Sequence, residues 1–343
     1  MKYKTVPAIP GVQFSAVGLG CWSLGGGSRW EGSSDARSIA TVRRAIEEGV
    51  NFIDTAPVYG FGESERLLGE ALQGRRDKVF LASKCGLVWD DTRTISRPLS
   101  ESISRSLSAS TVRSDVEASL RRLRTDHLDL LQLHWPDHDT PLEETARALE
   151  DVLRAGKARR IGVTNFSVAD AEALSRMVPI VSCQALYNVL ERNPATYHAE
   201  SLEYRTEKEV LPYCREKGLA FFPYGPLFQG LLTGSFTPQT RFTAQDVRSE
   251  NPKLSGPAFE RYLAAADALK LVAKGEGLSL TELSLAWLCH RPEVTSVICG
   301  AQDPEQIAAN ASASEVVLSE AVLNRIDEIA ADVDLPPCPT IAP

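Results

Sequence analysis

The sequence predicts an α/β chain folded as a (β/α)8 TIM barrel, and three observations point there. Short apolar segments alternate with amphipathic helical ones through most of the 343 residues. The apolar segments are rich in Val, Ile and Leu, as strands covered by helices on both faces must be. After the first of them, Gly18, Gly20, Gly25, Gly26 and Gly27 miss the G-x-G-x-x-G spacing that an open dinucleotide-binding sheet carries.

The elements follow in order. Residues 1–15 read as an N-terminal hairpin, with strands at 3–6 and 12–14 around a turn holding Pro7, Pro10 and Gly11. Strand 16–20 ends in Gly-Leu-Gly. Helix 34–48 sets Ile39, Val42 and Ile46 on one face, starts at Ser34 and Asp35, and stops at Gly49. Strand 51–53 delivers Asp54; Pro57, Gly60 and Gly62 then turn the chain, and Tyr59 sits in that turn. Helix 63–72 stops at Gly74, and strand 78–83 delivers Lys84. Residues 87–110, rich in Ser, Arg and Asp, read as a long loop.

Helix 111–124 carries Val112, Val116, Leu120 and Leu123 as a stripe. Strand 128–133 delivers His134, helix 142–153 follows, and strand 160–163 delivers Thr164 and Asn165. After helix 168–177, strand 180–186 carries Gln184; after helix 206–217, strand 219–223 delivers Tyr224. Residues 228–257 form a second long loop before helices 258–274 and 279–290. The last strand, 294–298, leads to Gly300, and two additional C-terminal helices cover 304–311 and 319–331. The proline-rich stretch 335–343 reads as a loose tail, and the whole of 1–343 as one domain.

Composition narrows the function. At 43% hydrophobic residues the chain can bury a large core. A net charge of −8 and a pI near 5.3 argue against a nucleic-acid partner. No apolar run reaches the roughly 18 residues of a membrane span, and the N-terminus has no apolar signal core, so a cytoplasmic setting is expected. Seven cysteines with no C-x-x-C pair read as reduced thiols. No metal is expected: His134 and His138 are four apart, but Pro136 between them prevents a shared helical face.

Side chains at the C-terminal ends of barrel strands converge on one mouth. Taken singly, Asp54 reads as a turn cap, Lys84 as surface and His134 as a core histidine; together they form a device. A tyrosine titrates near pH 10 and is a poor acid or base at neutral pH. A neighbouring ammonium lowers that value, and a carboxylate holds the ammonium in place. An imidazole orients a substrate oxygen. The set suits a carbonyl or alcohol and contains neither nucleophile nor metal, so hydride has to come from a cofactor.

The motifs FIDTAPVYG (52–60), LASKCG (81–86), LDLLQLHWPD (128–137), RRIGVTNFS (159–167), QALYNVLER (184–192), FFPYGPLFQGLLTG (221–234) and SVICGAQDPEQIAAN (296–310) resemble the aldo-keto reductases, in that family's order and over nearly the whole chain. They look most like the bacterial branch with an HWPD-type fourth strand and a long seventh loop. The resemblance implies an NAD(P)H-dependent oxidoreductase acting on an aldehyde, ketone or sugar. It implies Tyr59 as general acid, Lys84 tuning it, Asp54 paired with Lys84, and His134 orienting the carbonyl. Thr164, Asn165 and Gln184 would hold the nicotinamide amide and Tyr224 would stack on its ring. Gly225, Leu227 and Gln229 would approach the pyrophosphate, and Gly300, Gln302, Gln306 and Asn310 the adenosine.

Many members place Lys or Arg near 302 or 306 to meet the 2′-phosphate of NADPH. Here both positions are Gln, and Arg248 is the candidate to compensate; NADPH stays ahead of NADH as the expected cofactor. Trp22, Trp89 and Trp135 are expected at the substrate pocket, with Trp30, Phe61 and Asn188 near its mouth. Arg93, Arg97 and Arg105 read as a solvated charge run. The alternative reading is a cofactor-binding regulatory subunit of a channel with little turnover. The oligomeric state is not legible.

Overall fold

A computed structural model describes residues 1–25, 34–89, 103–198, 200–331 and 333. Trp30, Arg93, Arg97 and the 335–343 tail lie outside the described residues. Strands β1 (Tyr3–Lys4) and β2 (Phe14–Ser15) form the expected antiparallel hairpin. Eight further strands make the barrel: β3 (Val17–Gly20), β4 (Phe52–Asp54), β5 (Phe80–Cys85), β8 (Leu130–Leu133), β9 (Ile161–Thr164), β10 (Ile180–Leu186), β13 (Ala220–Tyr224) and β14 (Val297–Gly300). They pair in parallel in the order β13-β10-β9-β8-β5-β4-β3-β14. The ring closes between β13 and the approach to β14 through a single bridge, Phe221 to Val294. There the Thr295 N–H donates to the Phe221 carbonyl at 2.9 Å, and the Phe221 N–H donates to Thr295 Oγ1 at 3.1 Å.

Between the strands run α1 (Asp35–Glu47), α2 (Glu63–Ala71), α3 (Ala109–Leu123), α4 (Leu142–Arg154), α5 (Val168–Ser175), α6 (Leu211–Lys217), α7 (Gly256–Gly275) and α8 (Leu280–His290); α9 (Pro304–Ser312) and α10 (Glu320–Ala331) follow the last strand. Ser34 caps α1 as expected, accepting from the Arg37 N–H. The apolar stripe Val112, Val116, Leu120 and Leu123 of α3 is buried against the sheet.

Two cores result. The larger lies between strands and helices. The smaller fills the lower barrel, where Phe52, Phe80, Ala82, Leu130 and Phe222 point inward and the hairpin's Val6, Ile9 and Phe14 plug the opening. Phe14 meets Phe80 edge-on at 4.8 Å, and Phe52 stacks on Phe222 at 4.3 Å. With the bottom sealed, the other end is left for chemistry.

The two long loops carry structure that their composition does not announce. In the first, β6 (Leu87–Trp89) pairs with β7 (Ile103–Arg105) as a hairpin. The second holds three 3-10 turns, Phe228–Thr233, Val247–Glu250 and Pro252–Leu254. A further small hairpin, β11 (Thr196–Tyr197) with β12 (Glu200–Ser201), follows β10.

Candidate active site

At the C-terminal end of the barrel, Lys84 is fully buried at the end of β5 and its ammonium has three partners. Nζ donates to Asp54 Oδ2 at 2.6 Å, to the Thr55 carbonyl at 3.0 Å and to the Tyr59 hydroxyl at 3.2 Å. Asp54 reaches the site because β4 ends on it. Tyr59 reaches it because the next turn takes left-handed backbone at Gly60 (φ 58°), Phe61 (φ 53°) and Gly62 (φ 96°). A side chain at Gly62 would also strike Arg122, whose Cδ lies 2.8 Å from the Cβ position.

The second oxygen of Asp54 is held from the barrel interior: Gln132 Nε2 and Gln184 Nε2 each donate to Oδ1 at 3.0 Å. Gln184 also donates to Gln132 Oε1 at 3.3 Å. Gln132 pairs with Lys84 across β8 and β5, and it has no counterpart among the sequence-derived candidates. It lies two residues before His134 and therefore on the same strand face.

Electrostatics differ from the expectation at one point. The sequence argument has Lys84 drawing the Tyr59 pKa down. In the structure burial dominates, with the Asp54 carboxylate next, and the Tyr59 hydroxyl is held well above 10. Lys84's charge is balanced by Asp54 at 2.6 Å, so Tyr59 is a protonated donor at neutral pH. His134 meets Tyr59 edge-on at 5.8 Å. Burial first, then the Lys84 charge, hold its pKa well below 6.5, so the imidazole is neutral.

These groups floor a cavity of about 1040 Å³. Asp54, Tyr59 and His134 line it, and so do all the expected cofactor positions: Thr164, Asn165, Gln184, Tyr224, Gly225, Leu227, Gln229, Arg248, Gly300, Gln302, Gln306 and Asn310. Among the described residues Thr164 Oγ1 is buried without a hydrogen-bond partner, a cost that a ligand's polar group would remove. Asn165 Oδ1 accepts from Tyr204 and Tyr224 at 3.0 and 2.8 Å, and its Nδ2 donates to the His134 carbonyl at 3.2 Å. A hydroxyl and two amide side chains on one floor match the donors and acceptors of a carboxamide. The backbone at Phe228 (φ 46°), Gln229 (φ 53°) and Gly230 (φ 105°) is left-handed in succession, a strain typical of ligand clamps.

The substrate-side expectations divide. Trp22 and Trp135 line the cavity. Trp22 lies 6.3 Å from Tyr59, and the Arg105 guanidinium sits 4.5 Å over the Trp135 ring. Trp89 does not line it: β6 turns that ring onto Phe61 at 5.7 Å. Asn188 is likewise structural, donating to Glu191 Oε2 and the Gly225 carbonyl. Arg105 is no freely solvated charge; it lines the cavity and pairs with Glu200 at 2.9 Å. Arg248 is held by Asp246 through two hydrogen bonds, 2.9 and 2.5 Å. Tyr197, His198, Glu191 and Lys253 also line the cavity; they lie in irregular segments where no periodicity marks them.

His134 is buried, whereas His138 is exposed beside Glu203 at 3.3 Å and, with Asp170, forms a separate cluster of side chains. No helix among the described residues is long and apolar enough to cross a membrane.

An eight-stranded parallel barrel with a Tyr–Lys–Asp cluster and a carboxamide-matching floor defines a nicotinamide-dependent oxidoreductase of barrel type. The Aldo/keto reductase family model matches residues 16–331, and the chain belongs to that family. It is 37% identical over 312 residues to the aldo-keto reductase YhdN of Bacillus subtilis, covering 90% of this chain and 87% of that one. It is 33% identical to the NADH-specific methylglyoxal reductase of Escherichia coli, over 93% and 95% of the two chains. Among solved structures, the glycerol dehydrogenase AKR11B4 of Gluconobacter oxydans superposes with a TM-score of 0.84 at 35% identity, covering 99% of both chains. The protein is an NAD(P)H-dependent carbonyl oxidoreductase.

Proposed function

We propose that the chain interconverts a small aldehyde, ketone or sugar carbonyl and its alcohol, with Tyr59 as the proton donor. The observation that carries this reading is the Lys84 ammonium, which touches both Asp54 Oδ2 at 2.6 Å and the Tyr59 hydroxyl at 3.2 Å. The nicotinamide, when bound, supplies the hydride to the carbonyl carbon. Tyr59 gives its hydroxyl proton to the carbonyl oxygen. The phenolate left behind rests on the Lys84 ammonium, which Asp54 fixes in place, until solvent returns the proton. Neutral His134 hydrogen-bonds the substrate oxygen and aims it at Tyr59.

Thr164, Asn165 and Gln184 would hold the carboxamide, and Tyr224 would support the ring. Gly225, Leu227 and Gln229 would take the pyrophosphate, and Gly300, Gln302, Gln306 and Asn310 the adenosine. Trp22 and Trp135 wall the substrate side, with Leu87 and Ile103 adding apolar surface; a compact, weakly charged carbonyl compound suits such a lining. The six described cysteines are free thiols, which supports a reducing, cytoplasmic setting, and the chain is read as one working domain.

The test is oxidation of NADH or NADPH in the presence of aldehydes, ketones and sugars. Tyr59→Phe should keep dinucleotide affinity and lower turnover by about 10²–10⁴-fold. Turnover at the wild-type rate in that variant would sink Tyr59 as the acid.

A further inference from the structure

Three cations line the cavity among the described residues, and each is engaged by a carboxylate. Arg105 is held by Glu200 at 2.9 Å, Lys253 by Glu191 at 2.6 Å and Arg248 by Asp246 at 2.5 Å. Among the described residues, the end of the cavity lined by Gln302, Gln306 and Asn310 has no cation of its own. Gln306 Oε1 accepts from the Gln302 N–H at 2.9 Å, and Asp303 caps α9 by accepting from the Gln306 N–H at 2.7 Å. The nearby Arg37 is paired with Asp303 at 3.2 Å. Helix α8 packs on α9 and begins at the same cavity, where Ser279, Thr281 and Glu282 line it. Glu282 closes a capping box: its Oε2 accepts from the Ser279 N–H at 2.8 Å and from Ser279 Oγ at 2.6 Å.

We propose that Glu282 and Gln302 make the adenosine end selective for NADH over NADPH. The inference rests on the dinucleotide reading of this cavity. A phosphate monoester carries close to two negative charges at neutral pH and takes its affinity from Lys or Arg. Here it would meet the carboxylate of Glu282 and neutral amides. A ribose 2′-hydroxyl has the opposite requirement: a carboxylate accepts its proton, as the acidic residue does in open dinucleotide-binding sheets. Arg248, the cation expected to compensate, is committed to Asp246 and would have to give up a two-bond pair to reach a phosphate.

Direct binding tests this without catalysis. NADH and NADPH are titrated against the intact protein by nucleotide fluorescence, with ADP-ribose and its 2′-phosphate as redox-inert probes. NADH should bind at least ~10-fold more tightly than NADPH. Glu282→Gln removes the charge yet keeps the cap, since Gln serves at that capping-box position; it should tighten NADPH by about 3–10-fold without tightening NADH. Gln302→Arg should narrow the ratio further. Tighter NADPH binding by the wild type, or a ratio that neither substitution moves, would overturn the inference and leave the oxidoreductase reading standing. Failure of both dinucleotides to bind would overturn the cavity's assignment as well.

Discussion

Asp54 is the residue on which the site turns, because both of its oxygens are committed. Oδ2 faces the Lys84 ammonium and Oδ1 faces two amide donors, from Gln132 and Gln184. A hydrogen bond to a charged group contributes about 1.5–3 kcal/mol. Gln132→Leu should therefore lower kcat/KM by about 10–100-fold through Asp54 and Lys84, without touching substrate. Gln132 acts at one remove, so the basic limb of the pH–rate profile should move in this variant while dinucleotide affinity stays within about two-fold. An unchanged profile with a lower Tm alone would reduce Gln132 to a packing role. Strand ends announced Asp54, Lys84 and His134, because polar residues stand out where apolar runs stop. Gln132 sits inside such a run, LLQL, and is identified only once alternation across the strand is combined with the barrel's inward face.

At the scale of elements, the roof of the cavity is two irregular segments tied together. Lys253 donates to Glu191 Oε1 and to the Thr196 carbonyl, both at 2.6 Å. Asn251 Nδ2 donates to Gln229 Oε1 at 2.8 Å, and Gln229 Nε2 donates to His198 Nε2 at 2.9 Å. That last contact requires a neutral imidazole with an acceptor at Nε2. Burial, and then the Lys253 charge, lower the His198 pKa to about 4. The closed roof thus binds fewer protons than an opened one whose imidazole titrates near 6.5. Closure is fully favoured above about pH 6.5 and is lost as pH falls toward about 4. Dinucleotide dissociation, followed by stopped flow, should speed up by as much as ~10-fold between pH 7.5 and 5.5. His198→Asn should flatten that dependence; a wild-type slope in the variant would place the titrating group elsewhere. Helices and barrel strands were legible to within a few residues because burial imposes period. The roof was not: its two-residue strands are too short to alternate, and its order comes from side-chain bonds distant in sequence. Trp89, expected at the substrate pocket, packs on Phe61 in the β6–β7 hairpin and is not among the described residues lining the cavity.

Over the whole molecule, stability and chemistry occupy opposite ends. The hairpin and its phenylalanine cluster seal one end, and every polar group of the site gathers at the other. The barrel class was legible because it follows from alternation alone, whereas the plug's aromatic packing depends on which phenylalanines meet across strands far apart in sequence. The Phe221–Val294 bridge gives this layout a further meaning. The barrel is a cask whose staves are joined by ladders of two to five residue pairs except at one seam, where a lone bridge closes the wall. The staves beside that seam end in Tyr224 and Gly300, and both face the cavity. A dinucleotide lying across them is a hoop. It would hold the cask shut from outside the wall, so amide exchange at Phe221 and Thr295 should slow on loading more than at any other barrel stave. Equal slowing all round would mean that the seam is no weaker than the rest. Preferential slowing at the seam would make the cofactor a structural member of the barrel as well as its reagent.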